Sequence, residues 1–560
     1  MDDVDAVQAQ IARTMLESGD WVTARLDGVA YLEKSPLIYW MMAASFRIFG
    51  VHDWAARLPL ALAAVLLCWV TYRFGRWAVG ERAGVFAGAV LATAAGLYLF
   101  TRIQIPDATL TLTITVALWA WMRLLDPNEP QPSRWALLLG FALGCGLLLK
   151  GLIAIVFPIG AGVLYMLVTG QLWSWSAWSK LRLWLAIPAM LIVAAPWHVL
   201  ATLRNPPYFA FTMRSGPGEY HGFFWFYFIN EHLLRFLNLR YPRDYNTVPR
   251  PLFWLLNLVW LFPWSAYLPG VVKLGYERST RAGRVRRMAL CWIAVVMLFF
   301  TFSTTQEYYS MPIYPALALL VGSALADEKF FTAGSRIKLA IFSLLAVGLG
   351  AILCLSAGLP AKGELADALV QHPEMYTLSM GHMGDLTLAA FAFLRLPLAV
   401  AVTAFGITAA GIWACRRSVG RTVAVTVIGM VIFFQAARLA LVRFDSYLGS
   451  YPLAQALLQS PPGTLIEADA YYSFSSVFFY TNRSALLLNG RSNNLEYGSY
   501  APSAPSVFID DSGFVQRWRS SNRFYLLANN DDLPHLHSVL GNARMHLVKE
   551  SSGKSLLRNF

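Results

Sequence analysis

Charged residues are scarce in this chain. Only 14% of its 560 residues are Asp, Glu, Lys or Arg, whereas 57% are hydrophobic. A soluble protein of this length needs far more charge to cover its surface, so this composition excludes the ordinary soluble classes. The formal net charge is +13, but the basic residues fall in alternate loops and not in one patch. This distribution argues against nucleic-acid binding and favours contact with membrane lipids.

Cysteine is also rare, and its spacing carries no signal. The five cysteines lie in or beside apolar segments, and none forms a CxxC pair. A disulfide framework and a zinc ribbon are therefore not indicated. From residue 444 onwards the sequence has no nucleophile elbow, no P-loop and no metal-ligand spacing. The familiar soluble catalytic motifs are thus missing from the least apolar part of the chain.

Long apolar segments predict a mainly α, polytopic membrane bundle. A hydrocarbon core of roughly 30 Å requires about 20 apolar residues in a helix. Twelve segments are candidates, at about 58–79, 83–100, 108–124, 134–149, 151–169, 182–201, 251–272, 288–304, 309–325, 338–357, 392–414 and 422–442. Because the orientation derived below places 1–57 outside without a preceding span, we expect a missing first span, which would make thirteen.

The basic loops predict the orientation. The loop 273–287 carries six Lys or Arg residues against one acid, and 415–421 and 73–82 are also basic. Because basic loops stay in the cytoplasm, alternation places the long segments outside. We therefore predict a first outer segment with juxtamembrane helices, a transmembrane core with two outer loops, and a small C-terminal α/β domain on the outer side, at 1–57, 58–443 (with outer loops 203–250 and 358–390) and 444–560.

The C-terminal part changes in composition. Gly, Ser, Asn and Asp become frequent, and no apolar stretch is long enough to span a membrane. Short apolar runs predict strands at Ser475–Tyr480, Ser506–Ile509 and Arg523–Leu527. Helices are expected near 452–459 and 531–540.

Acidic residues occur at two outer positions. Asp2, Asp3 and Asp5 form a cluster at the start of the sequence, which could be a solvated acidic end. Asp107 follows Pro106, a residue that can begin a helix, so Asp107 would lie in the first turn of a span. Helix capping would explain an aspartate at this position as well as a catalytic role would.

Cations and aromatic residues accompany these acids. Lys34 lies in the aromatic stretch Tyr31–Trp40, where it could reach the headgroup region or bind a lipid phosphate. His232 alone would usually be a hydrogen-bonded core histidine. Further polar residues lie among aromatics in outer segments: Glu33, Glu231, Arg235, Gln306, Glu307, Tyr308 and Tyr309. Because all of these converge on one face, they suit an enzyme acting on a lipid-borne anionic substrate.

These motifs resemble the lipid-dependent GT-C glycosyltransferases, in particular the bacterial aminoarabinose transferases and protein O-mannosyltransferases. The family pattern of an Asp-Glu pair, (R/A)EM-x-x-(S/T)GDW and YFEKPPL-x-YW is matched here by Ala12–Met15, Ser18–Trp21 and Tyr31–Trp40. Asp107 resembles the second acidic motif, and Tyr309–Pro312 resembles the TY-x-LP element. The chain departs from the pattern in its first acidic motif, at Ser35 (usually proline) and at Gln306 (lysine in some relatives).

The resemblance implies inverting transfer of a sugar from a polyprenyl-phosphate donor at the outer face of a bacterial inner membrane. The acceptor would be a lipid A-type glycolipid, a protein or a cell-envelope glycan, and no nucleotide sugar would be needed. The implied catalytic acids are Asp3 (preferred), Asp5 and Asp107, and the implied phosphate-binding residues are Tyr31, Lys34 and Tyr309. Further substrate contacts would come from Glu33, Gln306, Tyr308, Glu231, His232 and Arg235.

The sequence alone leaves several functions open. Glu33, Glu231 and His232 could supply ligands to a divalent metal, although no spacing demands one. A transporter or flippase of a lipid-linked sugar is the main rival, but it would place ionisable residues near the bilayer midplane. The composition would also fit a structural or sensory membrane protein, or a polymerase or ligase that acts on lipid-linked polysaccharide.

Overall fold

The computed structural model describes residues 1–243, 247–370, 381–468, 470–541 and 544–560. Within these ranges the chain is mainly helical, as predicted. It adds a two-stranded sheet near the N-terminus and a six-stranded sheet near the C-terminus.

The helical elements follow one another in a long bundle. The chain begins with α1 (Asp3–Ser18), β1 (Arg25–Leu26), β2 (Val29–Ala30) and α2 (Leu37–Phe49). The bundle comprises α3 (Asp53–Ala78), α4 (Glu81–Ala92), α5 (Ala95–Phe100), α6 (Asp107–Leu125), α7 (Pro132–Lys150), α8 (Ile153–Val168), α9 (Trp175–Lys180), α10 (Leu183–Arg204), α11 (Gly222–Phe224), α12 (Arg250–Trp260), α13 (Leu268–Val271), α14 (Arg281–Phe302), α15 (Tyr314–Ala326), α16 (Phe331–Ser356), α17 (Ala390–Phe393), α18 (Arg395–Cys415) and α19 (Val419–Leu448). A π-helix at Trp225–Leu234 continues α11, and a 3-10 helix at Glu307–Ile313 leads into α15.

Each of the twelve predicted spans contains helix. In the described part of the chain, nine helices are long and apolar enough to cross a membrane, or ten if a bent pair counts as one span. That pair is Arg250–Trp260 and Trp264–Val271, which meet at 94° around Pro263. The predicted span 83–100 is divided between α4 and α5, and 151–169 corresponds to α8, which has only 16 residues. The total of twelve stays a prediction.

The C-terminal residues form an α/β unit. Its sheet has the strand order β5-β4-β3-β6-β8-β7, in which the first four strands are parallel and the last two antiparallel. The strands are β3 (Thr464–Ala468), β4 (Ala485–Leu488), β5 (Phe508–Ile509), β6 (Phe524–Asn529), β7 (His546–Ser551) and β8 (Lys554–Arg558). The helices are α20 (Tyr451–Gln459), α21 (Ser475–Thr481), α22 (Asn493–Ser499), α23 (Asp511–Trp518) and α24 (Leu533–Leu540).

One predicted strand of this unit is wrong. Ser475–Tyr480 lies in helix α21, whereas the strands predicted near 509 and 525 and the helices predicted near 455 and 536 are confirmed. A short apolar run does not distinguish a strand from a buried helix, and here a distant residue completes the helix start. The backbone N–H of Ser476 donates to the Asp3 carboxylate at 2.8 Å.

The N-terminal segment packs directly on the C-terminal unit. Residues of α1, α2 and the β1–β2 hairpin share one buried apolar cluster with β3, β4, α20 and α21. Asp3 is buried in this contact, where its carboxylate also accepts from Lys554 Nζ at 2.7 Å and from Ser450 Oγ at 2.8 Å. The first and last parts of the chain therefore share one hydrophobic core.

Candidate active site

A cavity of about 370 Å³ lies where α6, α7 and α14 approach the π-helix. One wall is apolar and includes Leu152, Ile153, Val156, Phe228, Leu233, Phe236 and Phe299. The other wall is polar and includes Glu33, Lys34, Asp107, Lys150, Glu231, His232, Arg235, Tyr308 and Tyr309. The structure thus joins most of the predicted site residues around one amphipathic space.

Asp107 and Lys150 form a partly buried ion pair in this cavity. Pro106 precedes α6 and places Asp107 in its first turn, as predicted, while Lys150 ends α7. Lys150 Nζ lies 2.6 Å from Asp107 Oδ1 and also stands over the rings of Tyr308 and Tyr309, at 5.3 Å and 4.9 Å from their centres. Asp107 Oδ2 is buried and has no hydrogen-bond partner among the described residues. The hydrogen-bonding capacity of one carboxylate oxygen is therefore not used by the described residues.

Gly151 allows the turn after Lys150 to approach the π-helix. Its φ is +68°, and a Cβ at this position would overlap His232 Nε2. The backbone N–H of Leu152 donates to the same Nε2 at 3.0 Å, so Nδ1 must carry the proton that it donates to the Tyr227 carbonyl at 2.5 Å. Burial lowers the pKa of His232. This histidine is therefore a neutral connector between α7 and the π-helix.

We expect Gly151→Ala to destabilise the protein and to reduce any activity of the cavity, because the methyl group would displace His232. Strained backbone costs on the order of 1–3 kcal/mol, and the steric overlap adds to this cost. The matched control is Gly170→Ala, since Gly170 has a φ of +70° but its nearest neighbour would be 3.9 Å from a Cβ. Thermal unfolding of both variants in detergent measures the difference. Equal melting temperatures would show that the His232 contact contributes nothing.

Two carboxylates and two guanidinium groups form a network beside this pair. Arg240 is almost fully buried and binds Glu33 Oε1 through Nη2 at 2.5 Å and Glu231 Oε1 through Nε. Arg235 Nη1 binds Glu231 Oε2 at 2.7 Å, and its Nη2 donates to the Tyr309 hydroxyl at 3.1 Å. Burial acts to raise the pKa of Glu231, but Arg240 and Arg235 outweigh it and lower that pKa to about 2. Glu231 is therefore ionised under all ordinary conditions.

Lys34 and Tyr31 both approach the same carboxylate oxygen of Glu33. Lys34 lines the cavity, keeps 29% of its side chain exposed, and lies 3.5 Å from Glu33 Oε2. Tyr31 is buried, is not among the described residues that line this cavity, and donates its hydroxyl to Glu33 Oε2 at 3.2 Å. Lys34 can thus meet a ligand in the cavity directly, whereas Tyr31 acts through Glu33.

Ser35, which stands where the family usually has proline, makes two hydrogen bonds through its hydroxyl group. Its hydroxyl donates to the Leu147 carbonyl at 3.0 Å and makes a short hydrogen bond with the Tyr227 hydroxyl. Proline has no side-chain group that could make these two contacts. Ser35 therefore ties the Lys34 turn to α7 and to the π-helix.

Asp3, Asp5 and Gln306 are not among the described residues that line the cavity. Asp3 lies in the contact with the C-terminal unit described above. Asp5 is buried, pairs with Arg57 Nη2 at 2.5 Å and accepts from the Gln104 backbone N–H at 2.7 Å. Burial, with Asp2 nearby, raises the pKa of Asp5 to about 7. Gln306 precedes the 3-10 helix that carries Tyr308 and Tyr309. Asp5 and Gln306 thus lie next to segments that carry cavity residues: Asp5 contacts the loop before Asp107, and Gln306 precedes Tyr308 and Tyr309.

A metal centre gains no support from this geometry. Among the residues that the structure describes, no three His, Cys, Asp or Glu side chains are grouped so that they could hold a metal ion. Glu33 and Glu231 are joined through Arg240, and both ring nitrogens of His232 are already hydrogen-bonded. The residues that could have served as ligands are engaged otherwise.

Sequence reasoning missed Lys150 and Arg240. A signal existed for Lys150, because it is the first Lys or Arg after Arg134, directly follows an apolar run and precedes Gly151. Arg240 had no local signal, since an arginine in a polar loop is usually exposed. Its burial arises only from the two carboxylates that meet it from distant parts of the chain.

Comparisons with known proteins agree with this architecture. The family model for dolichyl-phosphate-mannose-protein mannosyltransferases matches residues 33–199. The undecaprenyl phosphate-α-4-amino-4-deoxy-L-arabinose arabinosyl transferase of Erwinia tasmaniensis is 27% identical over 92% of this chain and 86% of its own length. The enzyme of the same name from Aeromonas salmonicida is 27% identical over 64% of this chain, and the match spans 62% of that protein.

A solved structure has a similar fold over the whole length. The crystal structure of ArnT from Cupriavidus metallidurans bound to undecaprenyl phosphate superposes with a TM-score of 0.79 at 24% identity. The alignment covers 99% of this chain and 93% of that one.

Proposed function

We propose that this chain transfers a sugar from a polyprenyl-phosphate donor to an acceptor, because it belongs to the GT-C family of lipid-dependent glycosyltransferases, which includes the bacterial aminoarabinose transferases. The observation that carries this proposal is the amphipathic cavity. Its apolar wall suits an isoprenoid chain, and its polar wall suits a phosphosugar. The donor class named by the relatives, an undecaprenyl-phosphate-linked amino sugar, is the first candidate.

The polar wall can perform an inverting displacement. The acceptor oxygen attacks the anomeric carbon, a new glycosidic bond forms, and the polyprenyl phosphate leaves with the electrons of the broken bond. Lys34 and Arg235 stabilise the negative charge of the leaving phosphate, because cations placed where charge develops lower the barrier. The Asp107 carboxylate accepts the proton of an acceptor hydroxyl. An acceptor that is already an ionised phosphate needs no base, and Asp107 then orients the sugar.

The reaction takes place on the outer, periplasmic face of an inner membrane. The basic inside loops contact one another at one end of the bundle, where Arg281 pairs with Asp126 at 2.7 Å and Arg82 with Glu328 at 2.9 Å. The cavity and the C-terminal unit lie next to the loops at the other end of the bundle, and the positive-inside rule places these loops outside. Residues 1–57, 58–443 and 444–560 are the first outer segment, the membrane core and the outer domain in this proposal.

The testing experiment is a transfer assay with the whole chain in membranes supplied with radiolabelled polyprenyl-phosphate sugars. We expect Asp107→Asn to lower the rate about a hundredfold or more, the range typical of a lost general base. Asp531→Asn, a change at an exposed aspartate of the C-terminal unit, is the matched control. Lys34→Ala should also abolish transfer by removing a phosphate contact.

The labelled product separates the possible acceptors, which are a lipid A-type glycolipid, a protein and a cell-envelope glycan. A flippase would move the lipid-linked sugar and leave its glycosidic bond intact. Wild-type protein that is folded, yet releases no sugar from any donor, would contradict the proposal. Full activity of Asp107→Asn would remove Asp107 from the mechanism.

A further inference from the structure

Helix α22 of the C-terminal unit is packed between the two segments that build the polar wall. Gly498 touches β2 so closely that a Cβ would overlap the Ala30 carbonyl oxygen. On the other side, the Tyr497 ring stacks on Phe226 of the π-helix with 4.1 Å between ring centres. Its hydroxyl also donates to the Gly222 carbonyl at 3.0 Å. The helix is therefore fixed at the back of the cavity.

Asn494 on this helix reaches the cavity carboxylate Glu33. Its Nδ2 lies 3.3 Å from Glu33 Oε2, 3.1 Å from the Tyr31 hydroxyl and 2.5 Å from the Tyr472 hydroxyl. Tyr31 and Tyr472 are themselves 3.3 Å apart. Asn494 thus closes a polar cluster in which the C-terminal unit supplies two of the four side chains.

We propose that Asn494 is a positioning residue of the active site, through which the C-terminal domain fixes the orientation of Glu33 and thereby of Lys34. This inference rests on the proposed glycosyl transfer, in which Lys34 binds the phosphate of the lipid donor. Asn494 does not line the cavity among the described residues, so its effect passes through Glu33. The C-terminal domain is consequently a working part of the catalytic site.

The physical reason lies in the four donors that surround the Glu33 carboxylate. Arg240 holds Oε1, while Tyr31 and Asn494, neither of which is among the described residues that line the cavity, contact Oε2. Lys34 approaches Oε2 from the cavity at 3.5 Å, beyond the range of a good hydrogen bond. Without the amide, the carboxylate would turn toward Lys34, and the ammonium group would then be shared between Glu33 and the departing phosphate.

The test compares Asn494→Leu and Asn494→Asp in the full chain, in the same transfer assay. Both variants keep nearly the shape of the side chain and remove the amide donor, so we expect kcat to fall about tenfold or more, as for one hydrogen bond to a charged group. The KM for the lipid donor should change less, because the apolar wall is intact. Asn522→Leu and Asn522→Asp, at an exposed asparagine before β6, are the controls.

The aspartate variant adds a pH signature that packing alone does not give. The introduced carboxyl faces Tyr31, Tyr472 and Glu33 directly, with Lys34 and Arg240 beyond Glu33. Its pKa should be raised by burial and by the charge of Glu33. When protonated it can donate to Glu33, so the activity of the variant relative to wild type should rise as the pH falls from about 8 to about 5.5.

The outcomes separate the two proposals. Inactive wild-type protein would refute glycosyl transfer, whatever Asn494 does. Active wild type with both Asn494 variants at the wild-type rate would refute the positioning role alone. The same refutation follows if both variants lose rate only in proportion to a lower melting temperature, with no recovery at low pH. A lower kcat at an unchanged melting temperature, recovered at low pH in Asn494→Asp, supports the role.

Discussion

Lys150→Met is expected to lower glycosyl transfer about a hundredfold to a thousandfold, the typical effect of removing one preorganised electrostatic group. Lys150 lies 2.6 Å from Asp107 and stands over two cavity tyrosines. It therefore orients the carboxylate that we propose as base. The exposed Lys180 at the end of α9 offers the matched control, Lys180→Met.

An ion pair with a buried carboxylate also affects folding, so stability and catalysis have to be separated. Removing one partner of a fully buried pair costs about 3–5 kcal/mol, because the other charge stays uncompensated. The cost should be smaller here, because 22% of the Lys150 side chain is exposed. The double variant Lys150→Met/Asp107→Asn removes both charges. It should regain most of the melting temperature lost in Lys150→Met while its transfer rate stays low. Recovery of both stability and rate in the double variant would mean that the pair is structural only.

Much of the bundle could be predicted because its signal is local. Long apolar runs place the helices, and Pro106 and Pro315 mark where α6 and α15 begin. The polar wall was predicted from residues next to such helix ends, since an acid or a cation there can line a wet cavity without crossing lipid. Asp107 was singled out in this way, whereas the assignments of Lys34 and Tyr309 also used the family motifs; all three line one cavity.

The remaining features depend on contacts between distant segments. Arg240 is buried only because Glu33 and Glu231 approach it, and Asn494 reaches Glu33 across more than 400 residues of sequence. The same holds for Asp3, whose pairing with Lys554 joins the two ends of the chain. No periodicity or spacing encodes such contacts, so the acidic cluster at the N-terminus was interpreted from the family motif instead. The geometry gives Asp3 a place in the domain contact, and of the three aspartates predicted as catalytic only Asp107 is among the described residues that line the cavity.

The second large effect is expected on stability, from Arg240→Met. Arg240 pairs with Glu33 and Glu231, and all three side chains are buried. Its removal leaves the two buried carboxylates with less positive charge beside them, so the free energy of unfolding should fall by about 3–5 kcal/mol. Arg243→Met, at an exposed arginine three positions along the chain, controls for the loss of a positive charge. Thermal unfolding in detergent near neutral pH measures both.

Acid titration of the same variants identifies the cause. Burial acts to raise the pKa of Glu231, yet Arg240 and Arg235 lower that pKa from 4.5 to about 2 in the folded protein. A lowered folded-state pKa means that this contribution to stability is complete above about pH 4.5 and is lost as the pH falls toward about 2. Without Arg240 the pKa is lowered less, so the variant should lose less stability over that interval than wild type loses. The melting temperatures of wild type and Arg240→Met are measured at each pH between neutral pH and pH 3. An equal fall of both melting temperatures over this interval would show that Arg240 does not hold the charge of Glu231. Converging melting temperatures would show that this guanidinium keeps an ionised carboxylate inside the protein, at the wall where the lipid phosphate is expected to bind.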